Sequence, residues 1–368
     1  MQRTEISKQE RQTSIDLLKC IAMLFVVVFH SSLYLYSSDI LSEPSSLHYL
    51  RYLFSTILSP CVPIFFFANG YLLFNKELDL KKHVYKILHF IILCGIWGLG
   101  KIILLMFIKN EFLSPVEIAE ALWSWKRGWI NSLWFLPALI CIYLLFPVLK
   151  VAYDNNKKVF KFFIIICSIF TFGNVLLNES GTFFLTLVLK KTTTLQGKNF
   201  FNFFNPFRGI YGYAFVYFCI GGCFYNIKNK ILNIQPLKRN IIAGFIIVIC
   251  CLGLWGVGIC YSKASNVMWD VVWNGYDTIF TFVNVICIYI LCLNLKKDVA
   301  FIRVISCNTL GIYFIHEIII HLTCKSVTKY AFLCNIPFTI VYAVVIMMIS
   351  LMIALVMKKI PVMRRLVS

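Results

Sequence analysis

Residues 14–32 read SIDLLKCIAMLFVVVFHSS, an apolar stretch that carries Asp16, Lys19 and His30 and little else that is polar at depth. Nineteen-odd residues at about 1.5 Å each are enough for a helix to cross the roughly 30 Å hydrocarbon core of a bilayer. The segment before it, MQRTEISKQERQT, is charged. With no short apolar core and no small-residue cleavage site, this beginning predicts a retained membrane anchor rather than a signal peptide. Nine further apolar runs follow, bounded by charge or turn residues. Together they predict an all-α polytopic membrane protein with about ten helices, near 14–37, 50–75, 84–108, 132–153, 159–177, 207–226, 240–261, 272–295, 304–324 and 337–358. The composition agrees: 60% of the 368 residues are hydrophobic and 14% charged, against about 45–50% and 25% in soluble domains. A soluble enzyme is excluded.

The net charge of +19 would suggest nucleic acid in a soluble protein, but in a membrane protein it reads as the basic excess of cytoplasmic loops. With the N-terminus inside, the inner segments hold 22 Lys and Arg and the outer segments 11, while Lys19 and Lys101 fall within spans. That bias predicts both termini on the cytoplasmic side, and no nucleic-acid partner. The 15 Cys are scattered through the spans without a CxxC pair or metal-ligand spacing, so they read as small hydrophobes and no metal is expected. No internal repeat is evident. No stretch after the tenth run is large enough for a fused extracytoplasmic domain, so a single integral-membrane domain over 1–368 is expected.

An ionisable side chain inside a span costs a few kcal/mol, which makes each one a candidate for function. Lys19 and His30 are 11 positions apart, about 20° from a whole number of turns, so they share a helix face about 16 Å apart along the axis. Asp16 lies one turn from Lys19, where an interfacial ion pair between the two is an equally good account. A neutral imidazole takes a proton near pH 7, which suits His30 to act as general base or nucleophile. The ninth run, NTLGIYFIHEIIIHL, carries His316 and Glu317. His316 lies at a depth similar to His30, and neighbours on a helix point about 100° apart, so one of the pair faces another helix. His321 falls near the outer end. In the second run, Pro60 and Pro63 predict a kink before IFFFANGYLLF, where Asn69 and Gly70 open a close approach. Lys101 and Asp277 fall toward the outer half and could pair or line a pocket. Six of the eight Trp lie near the outer boundary, as an aromatic belt or as stacking faces for a sugar.

Five segments taken in order, IDLLKCIAMLFVVVFH, VPIFFFANGYLL, SLWFLPALICIYLLFP, GGCFYN and LGIYFIHEIII, resemble the acyltransferase-3 family of bacterial integral-membrane O-acyltransferases. That family carries a basic residue, ten positions and a histidine in its first helix, the pattern of Lys19 and His30. The basic residue is usually arginine, so Lys19 offers a point charge in place of a planar fork. Asn69 stands where a small hydroxyl residue is common. The resemblance implies a multi-pass protein of the bacterial cytoplasmic membrane. Its expected activity moves an acyl group, most often acetyl, from cytoplasmic acyl-CoA to a hydroxyl of an extracytoplasmic glycan or lipid-linked sugar. It implies His30 and His316 as the catalytic pair and Lys19, Asp16 and Asn69 as the donor-binding set. His30 would activate the acceptor hydroxyl or briefly carry the acyl group, and His316 would orient substrate or polarise the thioester carbonyl. Two readings compete. The buried ionisable groups could serve a proton-coupled transporter or flippase, or Asp39 and Glu43 could serve a membrane glycosyltransferase.

Overall fold

The computed structural model describes residues 11–36, 40–42, 44–124, 128, 130–191, 193–195, 204–205 and 211–367. Asp39 and Glu43, together with Trp125 and Trp129, lie outside these residues. The described chain is helical, with no strand among its residues. In chain order the helices are α1 (Thr13–Ser31), α2 (Ser46–Leu58), α3 (Pro63–Leu73), α4 (Leu80–Lys109), α5 (Pro115–Trp123), α6 (Phe135–Asn155), α7 (Lys157–Ser168) and α8 (Asn174–Leu187). They continue as α9 (Gly212–Leu232), α10 (Pro236–Ser265), α11 (Ile279–Cys292), α12 (Ala300–Ser306), α13 (Thr309–Val327), α14 (Ile336–Lys359) and α15 (Pro361–Arg364).

Eight helical stretches among the described residues are long and apolar enough to cross a membrane. All ten expected runs carry helix, and two of them fall short of that measure. The run near 207–226 becomes α9, whose tyrosines, glycines and polar end around Asn226–Lys230 dilute its hydropathy. The run near 272–295 becomes α11, only 14 residues long, because residues 266–278 are taken up by turns and a short 3-10 segment. The fifth run extends further than expected. A π-helical turn at Ile169–Gly173 carries the chain from α7 into α8, and the span continues to Leu187. Beyond α4, Ser114 and Glu117 form a reciprocal capping box that starts α5 inside the segment expected as loop.

The kink at Pro60 and Pro63 divides one span into α2 and α3. Pro63 sits in the first turn of α3, where its missing N–H has no helical partner to lose. Helix α1 is the hub: it packs against α2, α3, α11, α12, α13 and α14. It ends where Ser32 turns left-handed, φ 47°, and returns its N–H to the Val28 carbonyl.

The closest helix approach is between α3 and α9. A side-chain carbon at Gly70 would meet the Phe218 carbonyl, and one at Gly221 would meet the Phe67 carbonyl. Small residues let the two backbones touch, and close packing drives association where lipid is as apolar as protein. Gly70→Ala and Gly221→Ala are therefore expected to destabilise the protein by at least the upper end of the roughly 1–3 kcal/mol that overpacking costs. Gly95→Ala, which meets nothing within 4 Å, should leave the unfolding temperature in detergent unchanged. Equal unfolding temperatures for all three variants would refute this reading of the α3–α9 contact.

Candidate functional site

The helix-face argument for α1 holds in three dimensions. Lys19 and His30 line one elongated cavity, with about 950 Å³ of empty space when its open mouth is included. Asn69 from α3 and Lys86 from α4 contribute to its walls toward the α1 N-terminal end, and Ser132, Trp134, Trp273 and Tyr276 toward the other. Phe65, Phe135 and Tyr313 line the middle.

At that middle, His30 Nδ1 lies 2.7 Å from His316 Nε2, and the two rings are nearly parallel at 7°. His316 Nδ1 lies 3.0 Å from the Ile312 carbonyl, one turn back on α13. A carbonyl only accepts, so the proton of a neutral His316 sits on Nδ1 and its Nε2 is an acceptor. His30 must then donate from its own Nδ1, which leaves the lone pair of His30 Nε2 uncommitted. One backbone carbonyl thus sets the tautomers of two histidines in series. His316 itself is 1% exposed and is absent from the cavity lining, which it meets through His30.

Near the α1 N-terminus the expected pairing is not the observed one. Asp16 does not bind Lys19; its carboxylate takes Arg11 Nε at 2.6 Å and the Ser306 hydroxyl at 2.6 Å. Lys19 instead donates to the Ser306 carbonyl at 2.7 Å. That carbonyl ends the short helix α12, where no helical N–H remains to satisfy it. An ammonium has three donors, so two remain for other partners. Lys19 also lines a second cavity, with Arg11, Asp16, Asn75, Lys76 and Cys307, that opens at this end. Lys19 is a residue shared by both cavities; Asp16 lines the second and is linked to the first through Ser306, whose carbonyl takes Lys19.

Asn69 is held in a polar chain. Lys86 Nζ donates to the Tyr143 hydroxyl at 3.3 Å, which donates to Asn69 Oδ1 at 3.2 Å, while Asn69 Nδ2 donates to the Phe65 carbonyl at 2.8 Å. Lys86 also lies 5.0 Å over the Tyr143 ring. The sequence count places it among the inner segments, at the third position of the run near 84–108; α4 starts earlier, at Leu80, and so carries it about two turns inside the helix.

Lys101 pairs with Glu317 at 2.7 Å and also donates to the Ser132 hydroxyl, not with Asp277 as its depth allowed. Glu317 points away from His316, as the 100° step requires, and its other oxygen lies 3.5 Å from His321 Nε2. Sequence spacing within one helix could not reveal this pair, because it joins α4 to α13. The tryptophans divide: Trp123 is 94% exposed, Trp269 stacks on Tyr261, and Trp134 and Trp273 meet edge-on at 4.9 Å in the cavity wall. Among the described residues no group of three His, Cys, Asp or Glu side chains could hold a metal ion.

Asp277 forms no ion pair among the described residues, so the outer-half pairing of Lys101 goes to Glu317 alone.

A family model described as an acyltransferase domain matches residues 12–357, nearly the whole chain. No curated protein and no solved structure matches it.

Proposed function

The chain belongs to the acyltransferase-3 family and has the helices of a multi-pass membrane protein, and from that premise we propose that it is an O-acetyltransferase of the bacterial cytoplasmic membrane. It takes an acetyl group from cytoplasmic acyl-CoA and delivers it to a hydroxyl of an extracytoplasmic or lipid-linked polysaccharide. In this reading the ten helical runs cross the bilayer and both termini are cytoplasmic.

The observation that carries it is the oriented His30 in a cavity that runs from two lysines to a tryptophan pair. The donor is polyanionic at one end and apolar at its thioester arm. Its phosphates meet the second cavity and its neck, where Arg11, Lys19 and Lys76 gather, and Lys86 adds a cation further in. Asp16 positions Arg11 and Ser306 around Lys19, and Asn69 fixes the Tyr143–Lys86 chain. The thioester then reaches His30, about 16 Å up the helix from Lys19. A sugar ring enters from the opposite mouth and stacks on Trp134 or Trp273.

His30 Nε2 takes the proton of the acceptor hydroxyl as its oxygen attacks the thioester carbonyl carbon, and returns the proton to the departing thiolate. His316 holds the tautomer that makes this possible, as a triad's third member does. Both its ring nitrogens are already bonded, so it is a positioning residue and does not polarise the carbonyl. The free lone pair on His30 Nε2 serves direct general-base transfer, and the same atom would carry acetyl in a two-step route.

Mass spectrometry of surface glycans from cells lacking the gene, complemented with wild type or His30→Ala, tests this. Wild type is expected to restore the mass increment of an acetyl replacing a hydrogen, and His30→Ala is expected not to. Restoration by both would remove His30 from the chemistry. Loss of surface glycan on deletion, with no mass change in what remains, would replace the reading with transport.

A further inference from the structure

General-base transfer leaves one charge unaccounted for. When the acceptor oxygen bonds to the thioester carbon, the carbonyl π pair moves onto the carbonyl oxygen, and a donor must face that oxygen inside a water-poor cavity. Most polar groups near His30 are already committed: His316 to Ile312 and His30, the Tyr143 hydroxyl to Asn69, and the Tyr313 hydroxyl to the Ser132 carbonyl at 2.7 Å.

Ser132 differs. It sits in the 3-10 turn Asn131–Trp134 that leads into α6, and it lines the same cavity as His30. Lys101 Nζ donates to its Oγ. An ammonium has no lone pair, so the serine oxygen accepts and its own proton is left for another partner. A hydroxyl whose oxygen accepts from a cation is a stronger donor than an isolated one. Lys101, 7% exposed, is fixed from behind by Glu317, the residue next to His316 on α13. One helix thus carries both supports, and its 100° step sends them to opposite partners of a single reaction: His316 to the base, Glu317 through Lys101 to Ser132.

Resting on the acyl-transfer reading, we propose that the Ser132 hydroxyl, backed by Lys101, donates a hydrogen bond to the thioester carbonyl oxygen and stabilises the charge that forms there. In the complete step His30 removes the acceptor proton, the acceptor oxygen bonds to the carbonyl carbon, and the carbonyl oxygen becomes an oxyanion bonded to Ser132. The pair then returns, the carbon–sulfur bond breaks, and the thiolate takes the proton from His30. The products are the acetyl ester and the free thiol.

The test uses membranes of the native host, which contain the acceptor, from a deletion strain carrying each variant, with [14C]acetyl-CoA as donor. Ser132→Ala should lower the maximal rate of label incorporation about 100-fold with the KM for acetyl-CoA unchanged within about twofold. Ser132→Thr, which keeps the hydroxyl, should recover most of the rate. S-ethyl-CoA, a thioether with no carbonyl, should inhibit wild type and Ser132→Thr equally. A full rate in Ser132→Ala, a loss carried by KM alone, or no recovery in Ser132→Thr would overturn the proposal. If Ser132→Ala is active where His30→Ala is not, the acyl-transfer reading survives and this role for Ser132 does not. If wild type incorporates no label above the deletion strain, both fall together.

Discussion

Inside a bilayer no water is at hand to satisfy a polar group, so every one that enters must find its partner within the protein. That constraint organises this molecule more than any hydrophobic preference does, since apolar side chains gain little by leaving lipid for protein. Its effect is visible in where the buried charges end. Lys19 caps the carbonyl end of α12, Lys150 bonds the Phe74 carbonyl and Asp154, and Lys101 bridges α4 to α13 through Glu317. Apart from Lys150–Asp154, which lies within α6, each of these bonds fixes one helix against another. The cavity lies among elements that such bonds and the glycine contact of α3 and α9 hold in register.

The same constraint explains why His30 and His316 meet. Two imidazoles in series with a backbone carbonyl form a chain in which each donor has one acceptor and each acceptor one donor, apart from a single lone pair at the end. A neutral chain of this kind is far less costly to bury than an ion pair. It also needs no acidic residue to orient the base. The nearest carboxylate in sequence, Glu317, is directed to Lys101 by the geometry of its helix.

Much of this was legible in the sequence where the argument stayed within one helix. The 11-residue step from Lys19 to His30, the 100° step from His316 to Glu317, and the proline kink before α3 all follow from helix geometry. The resemblance carried by five ordered segments supplied the family. What spacing could not supply was which helices are neighbours. The His30–His316 bond, the Lys101–Glu317 pair and the chain from Lys86 to Asn69 each join segments far apart in sequence, and no periodicity in either segment names the other. Apolar runs alone also could not show that Tyr217, Gly221 and Gly222 of α9 pack on protein rather than lipid, or that turns shorten α11. The Asp16–Lys19 pairing failed for a local reason: Arg11 reaches the carboxylate from outside the apolar run, and a helix-end carbonyl offers Lys19 another acceptor.

Lys19 lines both the large cavity and the one that opens at the α1 N-terminal end. Any protein with aqueous recesses approaching from both faces of an energised membrane risks becoming a leak for protons and metal cations. A fixed positive charge at the narrow place between such recesses is an electrostatic barrier to cations while it attracts anions, the device by which selective pores exclude protons. In the acyl-transfer reading proposed above, the charge that suits Lys19 to a polyanionic donor is at the same time an electrostatic barrier to cations at the residue both cavities share.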